Sequence, residues 1–117
     1  MPRRFLQVLV TFLALISLMS AQGKPEVPSI VVSPAQARAG APIVLTGVGM
    51  TPNRTVLSHL IRPDGTEYNP LRFRTNQKGE FSHKIDTVML DSGMFEVWVM
   101  DEASNVASNH VHFTVTP

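Results

Sequence analysis

From Ser29 to Thr116 the chain is a succession of short runs rich in Val, Ile, Thr and Phe, each closed by a turn signal, and no stretch keeps apolar residues at helical spacing. That pattern confines the chain to an all-β fold. Side chains alternate across a strand, so each sheet has to bury one face against a second layer. Strands are expected at Ser29–Ser33, Pro42–Gly47, Thr55–Arg62, Leu71–Thr75, Glu80–Asp86, Met94–Met100 and Val106–Thr116. Seven short strands in roughly 90 residues predict an antiparallel sandwich rather than a barrel or a repeat array. The sequence contains no cysteine, so the fold must rest on a packed core and not on disulfides.

Two turns carry specific chemistry. Arg62-Pro63-Asp64-Gly65 joins a proline of preset φ to a glycine that tolerates positive φ, which reverses the chain. Gln77-Lys78-Gly79 fits a three-residue hairpin loop with glycine last, in the left-handed position. Pairing Asn76 with Glu80 then sets Arg74 opposite Ser82 and Arg72 opposite Lys84, with Phe73, Phe81 and Ile85 on the other face.

Ahead of this region, Arg3 and Arg4 lead into the apolar run Phe5 to Met19 and then into small and polar residues, the pattern of a signal peptide over residues 1–23. The run of about 15 residues is shorter than the roughly 20 that span a bilayer as a helix. Cleavage after Gly23 or after Ala21 fits, and an uncleaved anchor is the alternative. Residues 24–28 then read as a tether and 29–117 as one sandwich domain. The expectation is a monomer, secreted or held in the periplasm or cell envelope, with no membrane span once the leader is removed. From Lys24 onward eight basic residues stand against nine acidic ones, which argues against a nucleic-acid partner. Arg54 to Lys84 is mostly basic and Ile85 to Pro117 holds only acids, as expected if neighbouring strands complement each other's charge.

The segments Ser33-Pro34, Gly47 to Asn53, Pro63-Asp64-Gly65, Lys78-Gly79-Glu80-Phe81, Leu90 to Val97 and Phe113-Thr114-Val115 resemble the secreted bacterial immunoglobulin-like domains of fibronectin and transcription-factor (IPT) type. The resemblance covers nearly all of the chain after the leader and implies a seven-stranded immunoglobulin-like sandwich. Domains of this kind serve as spacers, adhesive modules and substrate-binding accessories, so the resemblance implies a binding or structural role. The chain departs from the family at Phe95, where a tyrosine is frequent.

In the strand Met94–Met100, turning Phe95, Val97 and Val99 into the core sends Met94, Glu96, Trp98 and Met100 outward. A tryptophan between two methionines on a surface suits contact with protein or glycan, and these four residues are the candidate partner-binding set. His110 and His112 flank Val111 and share the outward face, a spacing that can chelate zinc or copper, with Glu96 or Met94 from the neighbouring strand as further ligands. The Met and His content, with the tail Gly93 to Val115, faintly resembles small periplasmic copper carriers, although no histidine stands near Lys24. His59 and His83 have no motif partner in sequence and read as structural. No nucleophile elbow, His-Glu-x-x-His motif or phosphate loop is present, and Asp86 and Asp91 read as turn aspartates. The expectation is a non-enzymatic module without a cofactor that contacts protein or glycan through a sheet face or its loops. The alternatives are a metal carrier and an accessory domain of a hydrolase.

Overall fold

Six of the seven expected strands form intact in the computed structural model, which describes residues 27–117, the seventh is split in two, and one short strand that was not expected joins them. The leader expected at 1–23 and most of the tether expected at 24–28 lie outside the described residues. The elements are β1 (Ser29–Ser33), β2 (Gln36–Arg38), β3 (Ile43–Val48), β4 (Thr55–Ile61), β5 (Leu71–Arg74), β6 (Phe81–Ile85), β7 (Gly93–Asp101), β8 (Val106–Ala107) and β9 (Val111–Thr116). One sheet has the order β1-β3-β6. The other runs β2-β9-β7-β4-β5, with β8 paired to the end of β7. Neighbours are antiparallel except β2 and β9, which run parallel. The fold is an all-β immunoglobulin-like sandwich of two sheets, the class that the strand pattern predicts and the type that the resemblance implies.

The core is the meeting of the two inner faces. Ile30, Ile43 and Leu45 come from the three-stranded sheet, and Val56, Phe95, Val97, Val99, Phe113 and Val115 from the other. Phe95 and Phe113 stack with ring centroids 5.2 Å apart at the centre. Each such side chain contributes about 1.5–3 kcal/mol through its removal from water.

The expected single strand Val106–Thr116 is broken after Ala107, because Ser108 and Asn109 use their side chains to bond other strands. The Ser108 hydroxyl accepts the Val99 N–H at 2.9 Å and the Ser108 N–H donates to the Val99 carbonyl at 2.8 Å. Asn109 reaches the opposite sheet, where its Oδ1 accepts the Ile30 N–H at 2.8 Å and its Nδ2 donates to the Ile30 carbonyl at 3.0 Å. This amide closes one edge of β1 as a strand neighbour would, and so ties the two sheets together. Asn109→Ala leaves both Ile30 groups without a protein partner. It is expected to cost about 1–3 kcal/mol in a urea melt, while Asn109→Gln, one methylene too long, recovers little.

The register expected across Gln77-Lys78-Gly79 does not form, although the turn does. Asn76 N–H donates to the Glu80 carbonyl at 2.9 Å, Gly79 N–H to the Asn76 carbonyl at 3.1 Å, and Asn76 Oδ1 accepts from the N–H groups of Lys78 and Glu80. The chain then divides between the sheets. β5 pairs with β4, Arg74 facing Thr55 and Arg72 facing Leu57, whereas β6 pairs with β3, Ser82 facing Thr46 and Lys84 facing Val44. Crossing between sheets places the Phe73 and Phe81 rings face to face across the interior at 5.7 Å.

A second irregularity shapes the edge of the larger sheet. Ile61 bridges Glu67, and Tyr68 N–H donates to the Leu60 carbonyl at 2.9 Å, yet Ser58 faces Leu71. One extra residue therefore stands between Tyr68 and Leu71, a bulge next to Pro70, which has no N–H to donate. Its effect is to point both Tyr68 and Leu71 toward the inner layer although they are three positions apart.

Candidate functional site

The outward set of β7 is as the alternation implies: Phe95, Val97 and Val99 are buried to within 1 % of full burial, Met94 is 60 % exposed, and Glu96, Trp98 and Met100 are half-buried on the opposite face. β4 supplies the neighbours on one side, with Leu57 opposite Met100, His59 opposite Trp98 and Ile61 opposite Glu96. On the other side β9 sets His112 opposite Glu96 and Thr114 opposite Met94. His110 is not on the strand itself. It stands in the link just before β9 and still leans over the same face.

Trp98 is the centre of a stack. The His59 ring lies parallel to the indole at 4.0 Å between centroids and 6° between planes, and the His110 ring lies at 5.3 Å and 11°. Since β4 and β9 flank β7 on opposite sides, the two imidazoles cover opposite faces of the indole and leave its edge toward solvent. A carboxylate anchors each imidazole. Glu67 Oε1 is 2.5 Å from His59 Nδ1, and Glu96 Oε1 is 3.4 Å from His110 Nδ1 and 3.4 Å from His112 Nε2. Glu67 is held in place by its bridge to Ile61. At the far end of this face Arg72 Nη1 and Glu102 Oε1 pair at 3.0 Å, joining the basic and acidic halves of the sequence.

The structure thus brings together Met94, Glu96, Trp98, Met100, His110 and His112, the residues singled out from sequence, and adds His59 and Glu67. His59 escaped the sequence reading because β4 is apolar on both alternating sets, which hides which set faces out. The detectable signal was its placement on a strand expected beside Trp98. Both imidazoles of the expected metal pair approach Glu96, but among the described residues no group of three or more His, Cys, Asp or Glu side chains is arranged to hold a metal ion. His83 is elsewhere, on the inner face of β6 against the Phe73 ring at 4.4 Å, where burial holds its pKa below the usual 6.5 and favours the neutral ring. Asp86 Oδ1 accepts the Val88 N–H at 3.0 Å, the bond of a turn aspartate.

Fold and face define an immunoglobulin-like β-sandwich domain that presents an aromatic and methionine-rich surface on its larger sheet. No family model matches the chain, and no curated protein matches it. Among solved structures it is similar to a CARDB domain from Pyrococcus furiosus, described in complex with di-metal ions, at 12% identity over 77% of this chain and 93% of that one, with a TM-score of 0.41. It is also similar to the PKD domain of an M14-like peptidase from a Thermoplasmatales archaeon, at 19% identity over 80% and 96% of the two chains, again with a TM-score of 0.41. No helix among the described residues is long and apolar enough to cross a membrane.

Proposed function

We propose that this chain is a secreted or cell-envelope module without a catalytic role that binds a protein partner through the outer face of the β2-β9-β7-β4-β5 sheet. The carrying observation is Trp98, held on edge between His59 and His110, with Leu57 and Ile61 diagonal to it on β4, Met100 next on the same face of β7 and Met94 further along that face. A fixed aromatic with methionines around it offers large contact area at little loss of rotamer freedom, which is what interface anchors require. Sugar recognition by stacking needs an open indole face, and both faces here carry imidazoles; this favours protein over glycan. The leader expected at residues 1–23 supports export.

Trp98→Ala is expected to abolish partner binding while lowering stability by only about 1–2 kcal/mol, the value of a partly exposed aromatic stack and its area. Phe95→Ala, in the core, should cost about 3–5 kcal/mol. A photoreactive residue at Met94 should cross-link one protein in the native cell, and the adduct should vanish in the Trp98→Ala background. The same probe at Val31, exposed on the other sheet, should give none. Equal cross-linking from both faces overturns the assignment.

A further inference from the structure

Both faces of Trp98 are covered by groups that can change charge near neutral pH. Histidine is the side chain whose ordinary titration falls between pH 5 and 8, and three of the four histidines in the chain, His59, His110 and His112, lie on this one face. Each is set against a carboxylate. Glu67 meets His59 alone, whereas Glu96 is shared by His110 and His112, at 3.4 Å from each and so beyond a good hydrogen bond. His112 makes no stack with the indole.

The remaining charges of the face cancel. β5 turns Arg72 and Arg74 toward it, opposite Leu57 and Thr55, and β2 adds Arg38, opposite Thr116. Arg62, at the end of β4, turns the other way and lies over the Tyr68 ring. Glu102, just beyond β7, pairs with Arg72. Three guanidinium groups thus stand against the carboxylates of Glu67, Glu96 and Glu102, and the imidazoles set the net charge.

Among the described residues, no Lys or Arg pairs with Glu67 or Glu96. While the imidazoles are neutral, a partner that covers Trp98 must strip water from two uncompensated carboxylates, which is costly. A proton on each ring turns the same contacts into ion pairs. It also lays a cation against either face of the indole, where the ring quadrupole attracts it. Proton uptake therefore compensates the carboxylates before they are covered and holds the indole in one orientation, and an anchor fixed in advance loses less freedom on binding.

We infer, on the reading that this face docks a protein, that docking is gated by protons: mild acid charges His59 and His110, locks Trp98 between them and strengthens partner binding, and neutral pH weakens it.

Trp98 is the only tryptophan in the chain, so its emission reads the stack directly. An imidazolium in contact with an indole quenches its emission more strongly than a neutral imidazole does. The emission of the wild-type protein should fall by about half between pH 7.5 and pH 5.5. The double variant His59→Gln, His110→Gln, which has nothing to protonate beside the indole, should show no fall. His112→Gln should keep it. Photocross-linking from Met94, in native cells suspended at the same two pH values, then reads docking. The adduct should increase about fivefold in acid for the wild type and stay equal at both pH values in the double variant. A flat wild-type emission, a double variant that keeps the fall, loss of the fall in His112→Gln, or an adduct no more abundant in acid would each overturn the gating and leave the docking reading standing. No adduct at either pH, with the emission change present, would instead overturn the docking reading and the gating with it.

Discussion

Replacing Gly79 by Val is expected to lower stability by roughly 3–5 kcal/mol, the sum of backbone strain and a backbone clash. Gly79 closes the Gln77-Lys78-Gly79 turn at φ +72°, where a β-branched residue is strongly disfavoured. A Cβ there would also lie 2.1 Å from the Met50 carbonyl oxygen. That backbone cannot move aside freely, because the Met50 N–H donates to the Gly79 carbonyl at 3.1 Å. Gly65 is the control. Its φ is +89°, but nothing lies within 4 Å of the position a Cβ would take, so Gly65→Val bears only the conformational part, about 1–3 kcal/mol. Urea denaturation of the two variants measures the difference, and equal losses would mean that the contact with Met50 contributes nothing.

Asp101→Ala is expected to cost about 2–4 kcal/mol, since it removes a charged acceptor from a buried network. Asp101 ends β7 at 2 % exposure, and its Oδ2 accepts both the N–H and the hydroxyl of Thr51 at 2.8 Å. Thr75 extends the network, its hydroxyl donating to the Thr51 carbonyl at 2.7 Å and accepting the Arg54 N–H at 3.1 Å. These bonds fix the connection from β3 to β4 against the ends of β5 and β7. Burial by itself raises the carboxyl pKa, but the bonds from Thr51, Ser104 and Ala103 outweigh it and hold the group below its ordinary 3.8. A carboxylate whose pKa is lower folded than unfolded adds stability above pH 3.8, and that stability is lost as pH falls through the folded value. The wild-type protein should therefore lose stability in acid below pH 3.8 more steeply than Asp101→Asn, which has no charge to lose. Parallel acid profiles would remove Asp101 from the list of groups that set the acid limit.

Much of the local structure was legible because it depends on near neighbours in the chain. The strands β1, β3, β4, β5, β6 and β7 lie within a residue or so of their expected limits, and the turn glycines Gly65 and Gly79 take the positive φ that their motifs require. Strand β2 carried too little signal, three residues with only Ala37 buried, and is held by parallel pairing to β9. The break between β8 and β9 was equally hidden, since Ser108 and Asn109 look like strand interruptions only once Val99 and Ile30 are in place to receive them.

For the face around Trp98, the alternation from Met94 to Met100 determined that Phe95, Val97 and Val99 share one face and Met94, Glu96, Trp98 and Met100 the other; because Trp98 is apolar too, the opposite parity with Trp98 in the core was equally open, and only packing against the second sheet turned the first set inward. The sequence likewise determined the all-β class, the turn chemistry and the reliance on a cysteine-free core. Only the tertiary structure decided which strands share a sheet. The same turn can join partners in one sheet or send them to two, and the choice rests on Phe73 and Phe81 meeting across the interior, a contact no local pattern encodes. It also decided the parity of β4, apolar on both sets, and so placed His59 against Trp98. The bulge before β5 came from the same source: a one-residue surplus between Tyr68 and Leu71 is counted only against the strand it pairs with, and pairing is a property of residues distant in sequence.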